Sequence, residues 1–152
     1  MKRIFTLLLG ISLFAIAASA QPRALGMRLG ILGNQSFAFG GEISYQHDFG
    51  TRSFVDASIG GCRLGGTVSG SWNILFDFTD FNVYIGPGLT LGGYMHSDKA
   101  SFNMGVLGQL GIEHRLGNIP LNLALEWRPT YYLAPSSHLS LGAINLAVRY
   151  RF

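Results

Sequence analysis

Two residues near the carboxyl end have the types and the spacing that nucleophilic catalysis needs. His138 and Ser140 are separated by one residue, so in an extended strand both side chains lie on one face. A serine becomes a nucleophile when a histidine accepts its proton and an acidic group orients that histidine. A two-residue motif is weak, however, and "SSHLS" is typical of a polar loop, so we interpret this stretch as a loop.

A second set of residues with chemical potential is charged and recurs at alternate positions of otherwise apolar segments. This spacing indicates either an ion pathway or buried acid–base site, or a structural network of paired charges. The six residues that we expect to form the network are Arg28, Glu42, Glu113, Glu126, Arg128 and Arg149. The same parity also includes Asp48, Asp56, Asp77, Arg115 and Arg151.

The sequence offers no motif for a metal, a cofactor or a nucleic acid. His47, His96 and His114 lack the spacing of metal ligands, and Cys62 is the only cysteine. No glycine-rich loop has the spacing that binds phosphates. We therefore expect no metal, no cofactor and no nucleic-acid partner.

The first 20 residues have the organisation of a cleaved signal peptide. Lys2 and Arg3 precede an apolar run, and Ala18-Ser19-Ala20 has the small-x-small spacing of a cleavage site. Without Lys2 and Arg3, nine of the 11 basic residues remain against eight acidic ones, so the net charge falls from +3 to +1. The sequence thus predicts an exported domain over residues 21–152.

The exported part is too apolar and too poor in charge for a typical soluble domain. Over the whole chain 48% of residues are hydrophobic and 12% are charged, against about 25% charged in soluble domains. After the signal, no apolar run has the length of a spanning helix. A closed barrel is the other way to satisfy every backbone polar group in lipid.

Alternation with a period of two recurs in eight segments and predicts a closed, antiparallel, up-and-down transmembrane β-barrel of eight strands. The segments centre on Leu25–Ile31, Phe37–Phe49, Val55–Ile59, Val68–Phe78, Val83–Leu91, Phe102–Ile112, Leu121–Trp127 and Leu146–Phe152. An even strand number places both termini at one end. "HSDKAS" is interpreted as a loop, and Pro87 predicts a local bulge because it removes a ladder hydrogen bond.

Aromatic residues are expected to form two belts, because amphipathic rings lie at the headgroup level of a bilayer. The belt near the termini would comprise Tyr45, Phe49, Phe54, Phe76, Phe78, Phe81, Tyr150 and Phe152. The belt at the opposite end would comprise Phe37, Phe39, Trp72, Phe102 and Tyr131.

Because the interiors of eight-stranded barrels are packed with side chains, we favour a structural network for the inward charged residues over an ion pathway.

The final strand carries a resemblance to a known group of proteins. Leu146, Val148, Tyr150 and Phe152 alternate up to the last residue, which resembles the carboxyl-terminal signature that the barrel-assembly machinery recognises in outer-membrane proteins. "NVYIGPGLTLGGY", "IPLNLALEWRP" and "AVRYRF" together resemble small outer-membrane barrels of Bacteroidetes-type bacteria, in the size class of OmpX and the membrane domain of OmpA. The resemblance implies a bacterial outer-membrane location, with lipid and lipopolysaccharide as neighbours, but implies no activity.

The expected function is therefore non-enzymatic, with a structural or interfacial role and a lumen filled by side chains. Three alternatives stay open at the sequence level. One is a lipid-modifying enzyme, since His138 and Ser140 resemble the His-x-Ser of lipid A deacylase barrels, although no Asn follows Ser140. The others are a narrow channel and a soluble lipocalin-like carrier, which requires the apolar parity to point inward.

Overall fold

A computed structural model describes residues 22–31, 39–49, 52–63, 65–96 and 99–152. The expected signal peptide and Phe37 lie outside these ranges. The described residues form ten strand segments: β1 Pro22–Ile31, β2 Phe39–Asp48, β3 Ser53–Cys62, β4 Gly65–Asp77, β5 Asn82–His96, β6 Lys99–Arg115, β7 Leu121–Trp127, β8 Thr130–Ala134, β9 His138–Ser140 and β10 Ile144–Arg151. Nowhere in these ranges is there a helix long and apolar enough to cross a membrane.

The strands close into an eight-stranded, antiparallel, up-and-down barrel, which confirms the predicted fold class. Strands β1 to β6 pair in chain order, and β6 then pairs with β7 near one end and with β8 near the other. β8 pairs with β9, and β7 pairs with β10. β7 and β8 therefore together occupy one strand position of the barrel, and β9 and β10 together occupy the next. β10 pairs with β1 over seven residue pairs, from Ala24 with Arg151 to Gly30 with Asn145.

The two interrupted positions remain hydrogen-bonded to their neighbours. Between β7 and β8, the backbone N–H of Arg128 donates to the carbonyl oxygen of Ala143 at 2.9 Å. The carbonyl of Pro129 accepts from the N–H of Gly108 at 2.8 Å. Pro129 has no N–H of its own, which explains why the ladder breaks here while the wall stays continuous.

Side chains divide between the two faces of the wall with a period of two, because successive residues of a strand point to opposite faces. Within the described part of the chain, the buried residues comprise 20 polar or charged side chains and nine apolar ones. By contrast, 37 large apolar side chains are exposed on the outside. The polar parity therefore points inward, opposite to the arrangement that the lipocalin-like alternative requires.

Two local expectations about the ladder are wrong. Pro87 causes no bulge: Ser71 pairs with Gly88 and Ile74 with Ile85, so the β4–β5 register is the same on both sides. The pairing is only interrupted there, since proline removes a donor without adding a residue to the strand. "HSDKAS" is mostly strand, because β5 and β6 pair as far as His96 with Lys99. Ser97 and Asp98 of this stretch lie outside the described residues.

Two aromatic residues lie elsewhere than in the expected belts. Phe54 is fully buried inside the barrel, where its ring meets that of Tyr84 at 5.3 Å between centroids. Trp72 stacks on Phe49, which directly follows β2 at the end of the barrel that holds the termini. We call this the terminal end and the opposite one the loop end. Trp72 therefore belongs to the belt at the terminal end.

Candidate functional site

The barrel interior is organised around Arg28, a β1 residue whose guanidinium contacts three carboxylates. Its Nη1 donates to Glu42 Oε2 at 2.7 Å, and its Nη2 donates to Asp56 Oδ2 at 3.0 Å. Its Nε donates to Glu126. These contacts join nearby strands inside the lumen, since Glu42 lies on the adjacent β2, whereas Asp56 on β3 and Glu126 on β7 are each two strand positions from β1. The planar five-donor fork of arginine suits this simultaneous binding.

A second arginine, Arg149 on β10, binds two of the same acids. Its Nη2 contacts Glu126 Oε1 and also Asp56 Oδ2, the latter at 3.3 Å. The hydroxyl of Tyr84 donates to Glu126 as well. The Tyr84 ring has space only because the opposite residue is Gly111: a Cβ added there would lie 2.1 Å from the ring carbon Cζ. The glycine-rich inward face therefore makes room for the large lumen side chains.

A third arginine, Arg128, extends the network toward the loop end. Its Nη1 donates to Glu42 Oε2 at 2.7 Å, and its Nη2 donates to the hydroxyl of Ser69. Ser58 also donates to Glu42, at 3.1 Å, and lies 2.7 Å from Ser69. Glu42 thus joins Arg128 to the central cluster. Because every group is buried, the low local polarisability makes each contact strong and each unpaired charge costly.

The sixth expected residue, Glu113, belongs to a separate cluster at the terminal end. It pairs with Arg23 and accepts a hydrogen bond from Asn82 Nδ2 at 3.3 Å. The guanidinium of Arg23 also lies 4.2 Å from the ring centroid of Phe54, a cation–π contact. Phe54 in turn packs with Leu75 and Tyr84 in a small apolar cluster. This cluster and its charges fill the lumen at the terminal end.

The structure does not bury all the charges that share the inward parity. Asp77 and Arg115 are about half exposed, with 3.9 Å between Arg115 Nη2 and Asp77 Oδ1, and the Asp48 side chain is 42% exposed. Arg151 is only partly buried. These four residues lie at strand ends, where the wall stops and the parity no longer implies burial. Their assignment to the interior is wrong, and they form a solvated rim.

Sequence reasoning missed Arg23, which has the parity of the outward residues Leu25 and Met27. The register of β1 against β2 shifts between Pro22 and Ala24, and this irregularity turns Arg23 inward. For Asp56, the only indication in the sequence was its inward parity, although its carboxylate binds both Arg28 and Arg149. The buried set thus contains four arginines and four acids, so its formal charges balance: Arg23, Arg28, Arg128 and Arg149 with Glu42, Asp56, Glu113 and Glu126.

The interpretation of "SSHLS" as a loop is wrong for its last three residues, which form the short strand β9. His138 and Ser140 share a face of this strand, but no hydrogen bond joins them in this fully described segment. His138 Nδ1 lies 3.0 Å from the carbonyl oxygen of Ser136, and its ring stacks on Tyr132 at 4.8 Å between centroids. Ser140 is buried against the wall of β8, where it pairs with Thr130. The histidine ring therefore packs against Tyr132, and the absence of an enzymatic role stays a prediction.

Leu146, Val148, Tyr150 and Phe152 all lie on the outer face, with their side chains exposed. The rings of Tyr150 and Phe152 meet at 5.4 Å between centroids. Recognition of these residues by an assembly machinery stays a prediction.

Among the described residues, no group of three His, Cys, Asp or Glu side chains has the geometry to hold a metal ion. The chain matches no known protein-family model and no curated protein.

Proposed function

We propose that this protein is an integral outer-membrane barrel with a structural or interfacial role and a closed lumen. The observation that carries the proposal is the inverted distribution of side chains, with charge inside and large apolar side chains all around the outside. Monomeric soluble proteins rarely expose contiguous apolar patches larger than a few hundred Å². Hydrocarbon is the solvent that suits such a surface, and closure leaves no strand edge unpaired within it.

The tryptophans and other aromatic rings on the outer face support the proposal that the barrel lies in a bilayer. Trp127 is exposed, yet its Nε1 donates to the carbonyl oxygen of Leu141 at 2.7 Å. An indole whose N–H is bonded within the protein can enter hydrocarbon without losing a hydrogen bond to water. At the terminal end, exposed rings stack in pairs, such as Phe78 with Phe81 at 5.1 Å between centroids. Aromatic belts of this kind anchor a barrel at the interface.

The interior supports a closed barrel and not a pore. Inside the lumen, ion pairs join β1, β2, β3, β7 and β10, and the apolar cluster of Phe54, Leu75 and Tyr84 lies toward the terminal end. Each central acid has at least one arginine partner, so the network holds no free charge that would attract a permeating ion. An ion entering the lumen would have to break contacts between fully buried charges.

The sequence pattern and the fold together support an outer-membrane location. Residues 1–20 have the pattern of an export signal, and outer-membrane barrels with both termini at one end have that end in the periplasm, which is the orientation that we propose for the terminal end. Lipid and lipopolysaccharide are then the immediate neighbours. The barrel-assembly machinery would contact the outward side chains of the last strand during insertion.

Conductance and gel migration test the closed-barrel proposal together. The full chain, reconstituted in planar bilayers, should stay electrically silent where a porin control conducts, because the lumen is filled. The unboiled protein should migrate faster on a detergent gel than the boiled protein, since a closed barrel resists unfolding. Steady single-channel currents from heat-modifiable protein would contradict the closed lumen. Recovery of the protein in the periplasmic wash would contradict the membrane location.

A matched pair of phenylalanines tests recognition of the carboxyl end. Phe152 and Phe39 have nearly equal exposure, 69% and 71%, but only Phe152 belongs to the alternating residues that we propose as the assembly signal. Phe152→Ala should lower the amount of barrel inserted in cells at least several-fold, while Phe39→Ala should leave it near wild type. Equal insertion of the two variants, measured by heat-modifiable migration of the outer-membrane fraction, would remove the terminal signal from the proposal.

The non-enzymatic role is tested on lipid A. Cells that express the protein and cells that express its Ser140→Ala variant should contain lipid A of the same mass, because we propose a non-enzymatic role. A mass difference of one acyl chain between the two strains would favour the lipid-modifying alternative.

A further inference from the structure

The barrel closes at the seam between β1 and β10, where the first strand meets the last one. On the outer face of this seam, each pair joins two large, exposed apolar side chains: Leu25 with Tyr150, Met27 with Val148, and Leu29 with Leu146. A shift of β10 by one residue would turn its apolar side chains inward, but a shift by two keeps every side chain on its face. The outer pairs would then be apolar again. The outer face therefore does not distinguish the observed register from one shifted by two residues.

On the inner face of the seam, by contrast, each large side chain lies opposite a small residue. The four pairs are Arg151 with Ala24, Arg149 with Gly26, Arg28 with Ala147, and Asn145 with Gly30. A Cβ added to Gly26 would lie only 2.5 Å from the Cα of Arg149. A Cβ added to Gly30 would lie 2.6 Å from the Cα of Asn145. At these two pairs the strands leave no room for a second side chain opposite the large one.

Two arginines and two acids also form a closed ring of ion pairs around the seam. We call these four residues the seam cluster: Arg28, Asp56, Glu126 and Arg149. Arg28 on β1 crosses the seam to Glu126 on β7, two strand positions away. Arg149 on β10 crosses it in the other direction to Asp56 on β3, at 3.3 Å. Each arginine also binds the acid on its own side of the seam. Because both arginines are fully buried, water cannot replace a lost partner.

A shift of the seam by two residues would break both features. It would move one side of the seam along the other by roughly 7 Å, so both ion pairs that cross the seam would separate. In one direction Arg28 would lie directly opposite Arg149, and like charges at directly opposite positions destabilise a sheet. In the other direction Arg28 would face Asn145, while Gly26 would face Ala147 and leave a void.

We propose that the inward residues of the seam select the register in which the barrel closes. The alternation of large and small residues and the two ion pairs that cross the seam favour the observed pairing, and both disfavour a shift by two residues. The register at closure fixes the stagger of the strands, on which the diameter of a barrel depends. The seam cluster thus determines the width of the lumen in addition to filling it. This inference concerns closure alone and does not depend on the compartment of the protein.

A single substitution in the seam cluster should change the preferred register. In Arg149→Ala, the observed register leaves two small residues opposite each other at Gly26. A shift by two residues would place Arg151 opposite Gly26 and Arg28 opposite the new alanine, so large again faces small at both positions. The repulsion between Arg28 and Arg149 in that register is also removed. Arg28→Ala should shift in the same direction, because Arg149 would then face an alanine and Arg151 would again face Gly26.

Disulfide trapping in the refolded full chain measures the register. The native cysteine, Cys62, is first replaced by serine, since it is the only one in the chain. Met27→Cys with Val148→Cys places two cysteines directly opposite each other in the observed register. Leu29→Cys with Val148→Cys does so only after the shift, because diagonal neighbours are about 7 to 8 Å apart, too far for a disulfide. Oxidation follows refolding in detergent micelles, and mass analysis of the heat-modifiable form quantifies each disulfide.

With the seam cluster intact, we expect the disulfide between positions 27 and 148 and almost none between positions 29 and 148. In Arg149→Ala and in Arg28→Ala, the fraction of the disulfide between positions 29 and 148 should rise at least about tenfold, as the preferred register changes. Arg151→Ala is the matched control, because it removes an arginine of the same strand and parity that lies outside the seam cluster. This variant should keep the observed register.

Three outcomes would overturn the proposal. If both seam-cluster variants formed only the disulfide between positions 27 and 148, another feature would set the register. If Arg151→Ala shifted the register as much as Arg149→Ala, loss of any arginine from this face would loosen the seam. If neither seam-cluster variant gave a heat-modifiable barrel while Arg151→Ala did, the cluster would be required for closure itself and not for the choice of register.

Discussion

Replacing Arg28 tests how the buried charges hold the barrel together. The guanidinium contacts Glu42, Asp56 and Glu126, and it is 1% exposed. In Arg28→Met the side chain keeps much of its volume, but the seven buried charges that remain have a net charge of −1, whereas the eight in the wild type balance. Removing one partner of a buried ion pair costs about 3 to 5 kcal/mol, because the remaining charge can neither reach water nor find a new partner. We expect the free energy of unfolding to fall by that amount.

The structure also indicates which second substitution should restore stability. Without Arg28 and Asp56, the two remaining pairs are complete: Glu42 with Arg128 at 2.7 Å, and Glu126 with Arg149. Arg28→Met combined with Asp56→Asn therefore restores charge balance, and the asparagine keeps a polar partner for Gln46. We expect the double variant to regain about 1 to 3 kcal/mol relative to Arg28→Met, within the usual range of coupling energies.

Urea unfolding of the folded protein in lipid vesicles, followed by tryptophan fluorescence and by heat-modifiable migration, measures both effects. Arg115→Met is the matched control, because Arg115 is half exposed and its nearest carboxylate oxygen, on Asp77, is 3.9 Å away. That variant should lose no more than about 1 kcal/mol. An Arg28→Met loss as small as that of Arg115→Met, or a double variant less stable than Arg28→Met, would refute the reasoning.

Two further predictions concern the wall and its packing. Leu125→Arg, on the outer face of β7, should destabilise the barrel in vesicles by about 2 to 4 kcal/mol. Ile119→Arg, in the exposed turn before β7, should cost at most about 1 kcal/mol. Equal losses of unfolding free energy in the two variants, measured by reversible folding, would contradict a hydrocarbon environment. Gly111→Ala should cost about 1 to 3 kcal/mol, because its Cβ would lie 2.1 Å from Tyr84 Cζ, whereas Gly93→Ala meets nothing within 4 Å and should be neutral. Similar urea midpoints for the two alanine variants would show that Tyr84 does not occupy that space.

Period-two alternation was sufficient to predict the barrel and the direction of most side chains, because the parity of a strand fixes its faces wherever the pairing is regular. It failed where the pairing is irregular or ends. Arg23 follows an irregularity in β1 and points inward against its parity. Asp77 and Arg115 have the inward parity but lie at the rim, and alternation contains no information on depth.

The partners within the lumen were beyond the reach of the sequence for a different reason. A pair such as Arg28 and Glu126 is 98 positions apart, and their contact depends on the closure of the barrel and on the shift between neighbouring strands. Alternation predicts that both point inward but not which charges meet.

Quenching of the two native tryptophans in bilayers tests the central claim most directly. Trp72 and Trp127 are the only tryptophans of the chain, and both are exposed on the outer face. In vesicles whose lipids carry bromine on the acyl chains, fluorescence of the unmodified protein should be strongly quenched, while iodide in the aqueous phase should have little effect. Efficient quenching by iodide without quenching by brominated lipid would show that the apolar face of the barrel does not contact hydrocarbon, and would contradict the account.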